Sequence, residues 1–151
     1  MTVDDPIRVA VQSEDFDFAA EAARLEATGA GAVVTFTGLV RDVASGLSRM
    51  EIEHYPGMTE RALRTHAETA LARWALDAVT IVHRHGPLKA GDRIMMVATA
   101  ARHRAAAFAA ADFLMDYLKS RAPFWKKEVT GDGADWVESQ AADEAALDRW
   151  S

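Results

Sequence analysis

Two lysines in the last third of the chain have surroundings that favour acid–base or nucleophilic chemistry. Lys119 and Lys126 flank a proline in the segment MDYLKSRAPFWKKE, and Phe124 and Trp125 lie between them. An ammonium group packed against aromatic rings loses water, and this desolvation lowers its pKa toward the range in which it can exchange protons. The segment therefore predicts a chemical site with two amines.

The helix expected before the proline gives Lys119 a specific setting. At about 100° per residue, one side of this helix carries Arg104, Phe108, Ala111, Met115 and Lys119. Lys119 thus extends an apolar stripe and is not expected to be a free surface lysine. The alternative is that its stem covers the core while its ammonium reaches water. The chain reversal at the proline can bring Lys126 beside it, and two neighbouring ammonium groups lower each other's pKa.

The charge of the chain is divided unevenly. Residues 128–151 hold seven acidic residues and one arginine, so they carry the whole net charge of −6. Residues 102–127 hold six Lys or Arg against two Asp. This local cationic surface suggests an anionic small ligand or an acidic partner tail, whereas a nucleic-acid binder is more often basic over a whole face.

Composition restricts the class of protein further. A length of 151 residues fits one domain, which we place at residues 1–151. No apolar run reaches the roughly 20 residues of a membrane span, and the first residues have no signal-peptide pattern, so we expect a soluble cytoplasmic protein. The chain has no cysteine, which excludes disulfides and thiolate chemistry carried on this chain. If sulfur is handled here, another molecule must bring it.

Apolar periodicity predicts an α+β fold with about three helices and a mixed or antiparallel sheet. Residues 32–40 and 47–54 should be strands that pair as a hairpin, and residues 141–150 should be either a short helix or a loose tail. This acidic tail could cover the cationic pocket, in which case deleting residues 141–151 should change the affinity for a partner. The other predicted strands are residues 7–12, 78–86, 93–101, 124–130 and 134–138, and the helices are residues 15–28 (capped by Ser13 or Asp15), 59–74 (capped by Thr59) and 103–122.

A second cationic group lies at the start of the long helix. Arg104 precedes Lys119 by fifteen residues, which is roughly 22 Å along one helix, so one small ligand cannot readily touch both in the same chain. A two-fold dimer with shared pockets would solve this geometry. His103 and Arg104 also lie where free backbone amides favour phosphate. Ordinary loop polarity explains the pair equally well.

Other candidates carry weaker signals. His83 and His85 share one face of a strand, but no ligand-spaced Cys or carboxylate accompanies them, so a metal site is not expected. Arg84 on the opposite face, together with His54 and Tyr55, fits buried hydrogen-bonding groups better.

Five segments of the chain together resemble the large, catalytic subunit of molybdopterin synthase, in order over residues 33–136. They are FTGLVRD (36–42), EHYPGM (53–58), HRHG (83–86), ARHR (101–104) and MDYLKSRAPFWKKE (115–128). The resemblance implies an α/β hammerhead-type fold and a homodimer that binds a small ubiquitin-like subunit at each end. The C-terminal thiocarboxylates of such subunits would supply two sulfurs, one from each, to cyclic pyranopterin monophosphate (precursor Z), giving molybdopterin.

The same resemblance assigns roles to individual residues. The catalytic lysines of the family fall on Lys119 and Lys126, and the resemblance implies neither a metal nor a resident cofactor. Some relatives have a lysine where this chain has Leu39, and many have a serine where it has Ala101. The implied substrate-binding residues are Leu39, Val40, Arg41, His103, Arg104, Lys126, Lys127 and Glu128.

Two other functions fit the local cationic surface of residues 102–127. A non-catalytic dimeric module could use the same residues to grip an anionic tail or a phosphometabolite. A lysine-dependent lyase or aldolase could form a Schiff base with a carbonyl substrate.

Overall fold

The computed structural model describes residues 5–44, 46–137 and 141–150. Over these residues the chain forms eight strands, four α-helices and a C-terminal 3₁₀ turn. In chain order they are β1 (Ile7–Gln12), α1 (Phe18–Glu26), β2 (Ala32–Leu39), β3 (Leu47–His54), α2 (Met58–Arg73), β4 (Ala78–Arg84), β5 (Gly86–Leu88), β6 (Arg93–Ala101), α3 (Arg104–Ser120), β7 (Phe124–Thr130), β8 (Gly133–Trp136), α4 (Ala141–Ala146) and the 3₁₀ turn Leu147–Trp150.

The strands form two four-stranded sheets. The first sheet has the order β1-β4-β6-β2, with β1 parallel to β4 and the other pairs antiparallel. The second sheet has the order β5-β3-β7-β8 and is antiparallel throughout. The predicted α+β class is confirmed, with one mixed and one antiparallel sheet. The described residues hold four helices where about three were expected, the fourth being α4.

The predicted hairpin between β2 and β3 is wrong. Strand β2 pairs with β6 and β3 pairs with β7, so the two strands belong to different sheets. The end of β2 is held by the loop before β6, since Val40 donates its backbone N–H to Asp92 and accepts that of Gly91. The Asp42 carboxylate then accepts the backbone N–H of Leu47 and redirects the chain toward the second sheet.

The core lies on both faces of the first sheet because β4 and β6 are buried along almost their whole length. Val79, Ile81 and Val97 pack with α2, α3 and the second sheet in one apolar cluster. Val82 and Met96 pack against α1 in another. Each fully buried side chain of this size contributes roughly 1.5–3 kcal/mol relative to exposure, which explains why these strands read as continuous apolar runs.

Helix starts differ from the sequence-based expectations by a few residues. Asp17, rather than Ser13 or Asp15, caps α1 by accepting the backbone N–H of Ala20. Helix α2 begins at Met58, one residue before the predicted cap Thr59.

The hydroxyl of Thr59 is buried inside the molecule. It donates to the backbone carbonyl of Tyr55 and accepts the backbone N–H of the same residue. Thr59 therefore closes a turn before the helix rather than capping it. Tyr55 itself is exposed, so the expectation that its side chain is buried is wrong.

The end of the chain is a folded element over residues 141–150, so the short-helix alternative is confirmed. The Trp150 ring packs edge-on against Trp74 and Phe113, with centroids 5.6 Å away in each case. Arg149 forms ion pairs of 2.7 Å with Asp116 and 2.8 Å with Asp112 on α3. None of the helices over the described residues has the length and apolarity needed to cross a membrane.

Candidate active site

A cleft of about 1160 Å³ lies at the junction of the two sheets. Its walls come from the end of β2 and the loop after it, the last turn of α3, strand β7, the end of β8 and Asp143 of α4. Lys119 and Lys126 both line this cleft. The amines that the sequence placed on either side of a proline are thus brought together in one concave site.

The turn between α3 and β7 explains the convergence. Helix α3 ends at Ser120, where the carbonyl of Tyr117 accepts the backbone N–H groups of Arg121 and Ala122. The proline that follows cannot continue a helix. Strand β7 then starts at Phe124, and alternate residues of a strand share one face. Phe124, Lys126 and Glu128 accordingly line the cleft.

The Lys126 amine lies in a setting that weakens its hold on a proton. Burial, followed by the charge of the Lys119 ammonium, lowers the pKa of Lys126 from 10.5 to about 8, and Asp143 offsets part of this effect. With a pKa near 8, about one-tenth of the molecules hold a neutral amine at pH 7. This lysine can therefore both donate and accept protons near neutrality.

Lys119 differs from its neighbour because its side chain is exposed. The expectation that it would not be a free surface lysine is wrong for the single chain. It is the last turn of α3 that carries Lys119 beyond the packed part of the helix, to the wall of the cleft. Its ammonium is open to an incoming anion.

A smaller inner recess of about 90 Å³ opens from the same site. Most of its wall is apolar, with Phe36, Met115 and Leu118 among the contributors. Both lysines reach it, and so does His83 at the end of β4. The recess is therefore where the two amines face a shared, largely apolar space.

His83 is a buried residue that the sequence suggested only as a weak metal candidate. Its ring stacks on Phe124 at 3.7 Å between centroids with an interplanar angle of 16°, and its Nδ1 lies 2.7 Å from the carbonyl oxygen of Arg84. Burial lowers the pKa of His83 to about 3. Within the described ranges, no group of three His, Cys, Asp or Glu side chains could hold a metal ion. The expected polar role of Arg84 is met by its hydrogen bonds to the carbonyls of Ser13 and Arg93.

The other residues implied in substrate binding divide into two groups. Leu39, Arg41 and Glu128 line the cleft. Val40 instead points into the core and is 2% exposed. Lys127 also does not line the cleft, since its Nζ lies 3.6 Å from a carboxylate oxygen of Glu51 and 5.1 Å from the ring centroid of Trp136.

His103 and Arg104 do not line the cleft either, because they lie at the opposite end of α3 from Lys119. The single chain therefore does not unite the two cationic groups. Phe108, one turn after Arg104, is 60% exposed. The apolar stripe that leads to Lys119 is therefore exposed to solvent at Phe108.

Large apolar side chains surround the mouth of the cleft, and sequence reasoning missed most of them. Five lining residues are exposed, namely Phe36, Leu39, Trp125, Trp136 and Val137. They come from β2, β7, β8 and the residue directly after β8, and only the assembled sheets bring them together. An exposed apolar surface of this kind is typical of a docking site for another protein.

The fold and the site define an α+β protein with a two-lysine cleft and an apolar rim. The family model described as "MoaE protein" matches residues 11–121. A molybdopterin synthase catalytic subunit of Cereibacter sphaeroides is 66% identical over 146 residues, covering 95% of this chain and all of the relative. The chain therefore belongs to the MoaE protein family.

Solved structures agree with this assignment. A molybdopterin biosynthesis MoaE protein from Burkholderia ambifaria MC40-6 matches with a TM-score of 0.82 and 51% identity, covering 95% of this chain and 97% of the other. Molybdopterin synthase from Staphylococcus aureus matches with a TM-score of 0.78 and 29% identity, covering 85% and 96%.

Proposed function

We propose that this chain is the catalytic subunit of a molybdopterin synthase and acts as a sulfurtransferase. Each donor is the C-terminal thiocarboxylate of a small partner subunit and carries one sulfur. The acceptor is cyclic pyranopterin monophosphate, which receives two sulfurs as a dithiolene from two such donors in succession, and each spent donor leaves as a glycine carboxylate. The observation that carries this proposal is the meeting of Lys119 and Lys126 in one cleft. The MoaE family membership supports the same reaction.

The two amines have different surroundings, and we assign them different roles. The exposed ammonium of Lys119 holds the anionic donor and stabilises charge that develops during transfer. Lys126, with its pKa lowered to about 8, moves protons as the cyclic phosphate opens and as water later releases the glycine carboxylate. No resident metal or cofactor is needed in this scheme, because sulfur arrives on the partner.

The assembly we propose is a homodimer with one small subunit at each end. The apolar rim of the cleft fits a protein partner whose flexible tail enters between the lysines. Arg41 in the cleft, with His103 and Arg104 of a second copy, would hold the substrate phosphate. Among the described strands β2 pairs only with β6, which leaves its other edge available to a neighbouring molecule. The cytoplasmic location expected from the sequence belongs to the same proposal.

The test is reconstitution from purified chain, thiocarboxylated small subunit and precursor Z, with molybdopterin measured by mass spectrometry. Lys119→Ala should lower product formation at least a hundredfold with unchanged thermal unfolding, because the donor loses its cation. Lys119→Arg keeps the charge and should retain part of the activity. Lys89→Ala is the matched control, since Lys89 is exposed and outside the cleft. Normal product from a folded Lys119→Ala variant would reject the proposal.

A further inference from the structure

The inner recess contains a hydrogen-bond acceptor that has no part in the roles proposed for the two lysines. Three side chains of hydrogen-bonding type reach it, namely Lys119, Lys126 and His83. The ammonium groups are donors only. Among the described residues that line this recess, His83 thus has the one side-chain nitrogen or oxygen that can accept a hydrogen bond, beside the weakly accepting thioethers of Met95 and Met115.

The hydrogen bonding of His83 fixes which ring nitrogen is the acceptor. Nδ1 lies 2.7 Å from the carbonyl oxygen of Arg84, and because a carbonyl can only accept, Nδ1 must carry the hydrogen. Burial lowers the pKa of His83 to about 3, so the ring is neutral near pH 7. Nε2 is therefore unprotonated. Stacking on Phe124 holds the plane of the ring, and the hydrogen bond from Nδ1 to the Arg84 carbonyl favours this orientation within the plane.

The size of the recess restricts what can occupy it. A volume of about 90 Å³ corresponds to roughly three water molecules, and so to a handful of non-hydrogen atoms. A bicyclic or tricyclic pterin ring is too large for the recess itself and would have to lie in the wider cleft, which His83 also lines. The terminal glycine of an extended peptide fits, with its anionic end toward the two lysines and its amide N–H as the remaining polar group.

We propose that Nε2 of His83 accepts the backbone N–H of the partner's terminal glycine and so holds the thiocarboxylate between Lys119 and Lys126. This inference rests on the proposed function and adds a residue that orients the sulfur donor. A neutral acceptor suits this role because it binds an amide without neutralising either ammonium.

The sharpest test changes the partner and leaves this chain intact. A small subunit made by semisynthesis would carry sarcosine (N-methylglycine) in place of its terminal glycine, which removes the amide hydrogen. Isothermal titration calorimetry should show binding weakened about tenfold, the size expected for one hydrogen bond. Sarcosine at the penultimate position is the control and should have a smaller effect. Equal affinity of the terminal sarcosine and glycine forms would overturn the inference.

A second set of variants tests His83 itself. His83→Phe keeps an aromatic ring against Phe124 but has no acceptor, whereas His83→Gln places an amide oxygen near the position of Nε2. His83→Phe should weaken binding of the unmodified subunit about tenfold and show no further loss with terminal sarcosine, because both changes remove the same bond. His83→Gln should stay within about threefold of the wild type. If the losses of binding caused by His83→Phe and by terminal sarcosine add together, the proposed hydrogen bond between His83 and the glycine amide is refuted.

A sulfur-transfer assay distinguishes a failure of this inference from a failure of the proposed function. With thiocarboxylated subunit at saturation, His83→Phe should lower the single-turnover rate of transfer because the donor is misaligned, while the affinity for precursor Z alone stays unchanged. If His83→Phe instead weakens the binding of precursor Z, Nε2 of His83 contacts the pterin and the inference is wrong. If the wild-type chain itself makes no molybdopterin, the proposed function fails independently of His83.

Discussion

The two lysines show how position along a short turn produces two chemically different amines. Lys126 lies inside a strand next to Phe124, whereas Lys119 ends a helix and is exposed. Burial weakens the hold of Lys126 on its proton, and the charge of Lys119 adds to this effect. The cleft therefore pairs an exposed lysine with a more buried one whose pKa is lowered.

Lys126→Met should make the folded protein more stable near neutral pH. The folded pKa of about 8 is below the ordinary 10.5, so the unfolded chain binds more protons between these values and the free energy of unfolding rises with pH across that window. Below pH 8 the charged amine costs the folded state about 3 kcal/mol. Urea unfolding at pH 7 should therefore show a gain of about 2–3 kcal/mol in the variant.

The pH dependence provides the check on this prediction. The advantage of Lys126→Met should shrink between pH 8 and pH 10.5, because the wild-type amine becomes neutral there. Lys89→Met, at an exposed position, should show no such pH-dependent difference. A constant gain at all pH values would mean that packing, not charge, separates the variants.

Residue types near the proline predicted that the two amines converge, but they could not predict that His83 lies beside them. The convergence depends on local sequence. A helix that ends before a proline carries Lys119, and a strand whose alternate residues share one face carries Lys126, so the two lysines lie on either side of one turn. The setting of His83 depends on Phe124, forty-one positions away in the chain. No local pattern contains such a contact.

At the scale of elements, periodicity predicted which segments fold but not which strands pair. Strands β6 and β7 have the predicted bounds, because their apolar and β-branched residues end at clear turn signals. The partner of β2 was wrong because pairing is decided by distant strands and by the hydrogen bonds of Val40. Short β5 was missed, since three residues carry too little pattern.

The junction between α1 and β2 depends on a close backbone approach at Gly31. A Cβ at this position would lie 2.2 Å from the carbonyl oxygen of Arg102, and Gly31 also donates its N–H to Ala101. Gly31→Ala should therefore lower the free energy of unfolding by about 2–4 kcal/mol, as measured by chemical denaturation. Gly131→Ala is the matched control, because a Cβ there meets nothing within 4 Å. Equal stability of the two variants would contradict the clash.

At the scale of the whole molecule, the C-terminal segment connects the cleft to the helical layer. Asp143 of α4 lines the cleft, and Glu144 pairs with Arg121 at 2.8 Å. The 3₁₀ turn that follows is fixed by Trp150 against Trp74 and Phe113. The acidic segment therefore contributes to the cleft, and whether its deletion changes partner affinity stays a prediction.

Trp150→Ala should loosen this connection. Loss of the two edge-on aromatic contacts should lower the free energy of unfolding by about 2–3 kcal/mol. Release of Asp143 should also lower the pKa of Lys126, because this carboxylate raises it. Chemical denaturation and ¹⁵N NMR of the lysine amines measure both effects. Trp136→Ala, at an exposed ring, should leave stability within about 0.5 kcal/mol; a similar loss there would argue against a specific role of Trp150.

The order of the strands has a consequence for synthesis. Along the described strands the chain passes between the two sheets five times, so neither sheet is built from one continuous stretch. A nascent chain that has emerged from the ribosome through α3 still lacks β7, and pairings between such distant segments form late. The sheltered pair of amines thus arises only once translation is nearly complete, and a prematurely released fragment has no cleft for the thioacid donor that we propose.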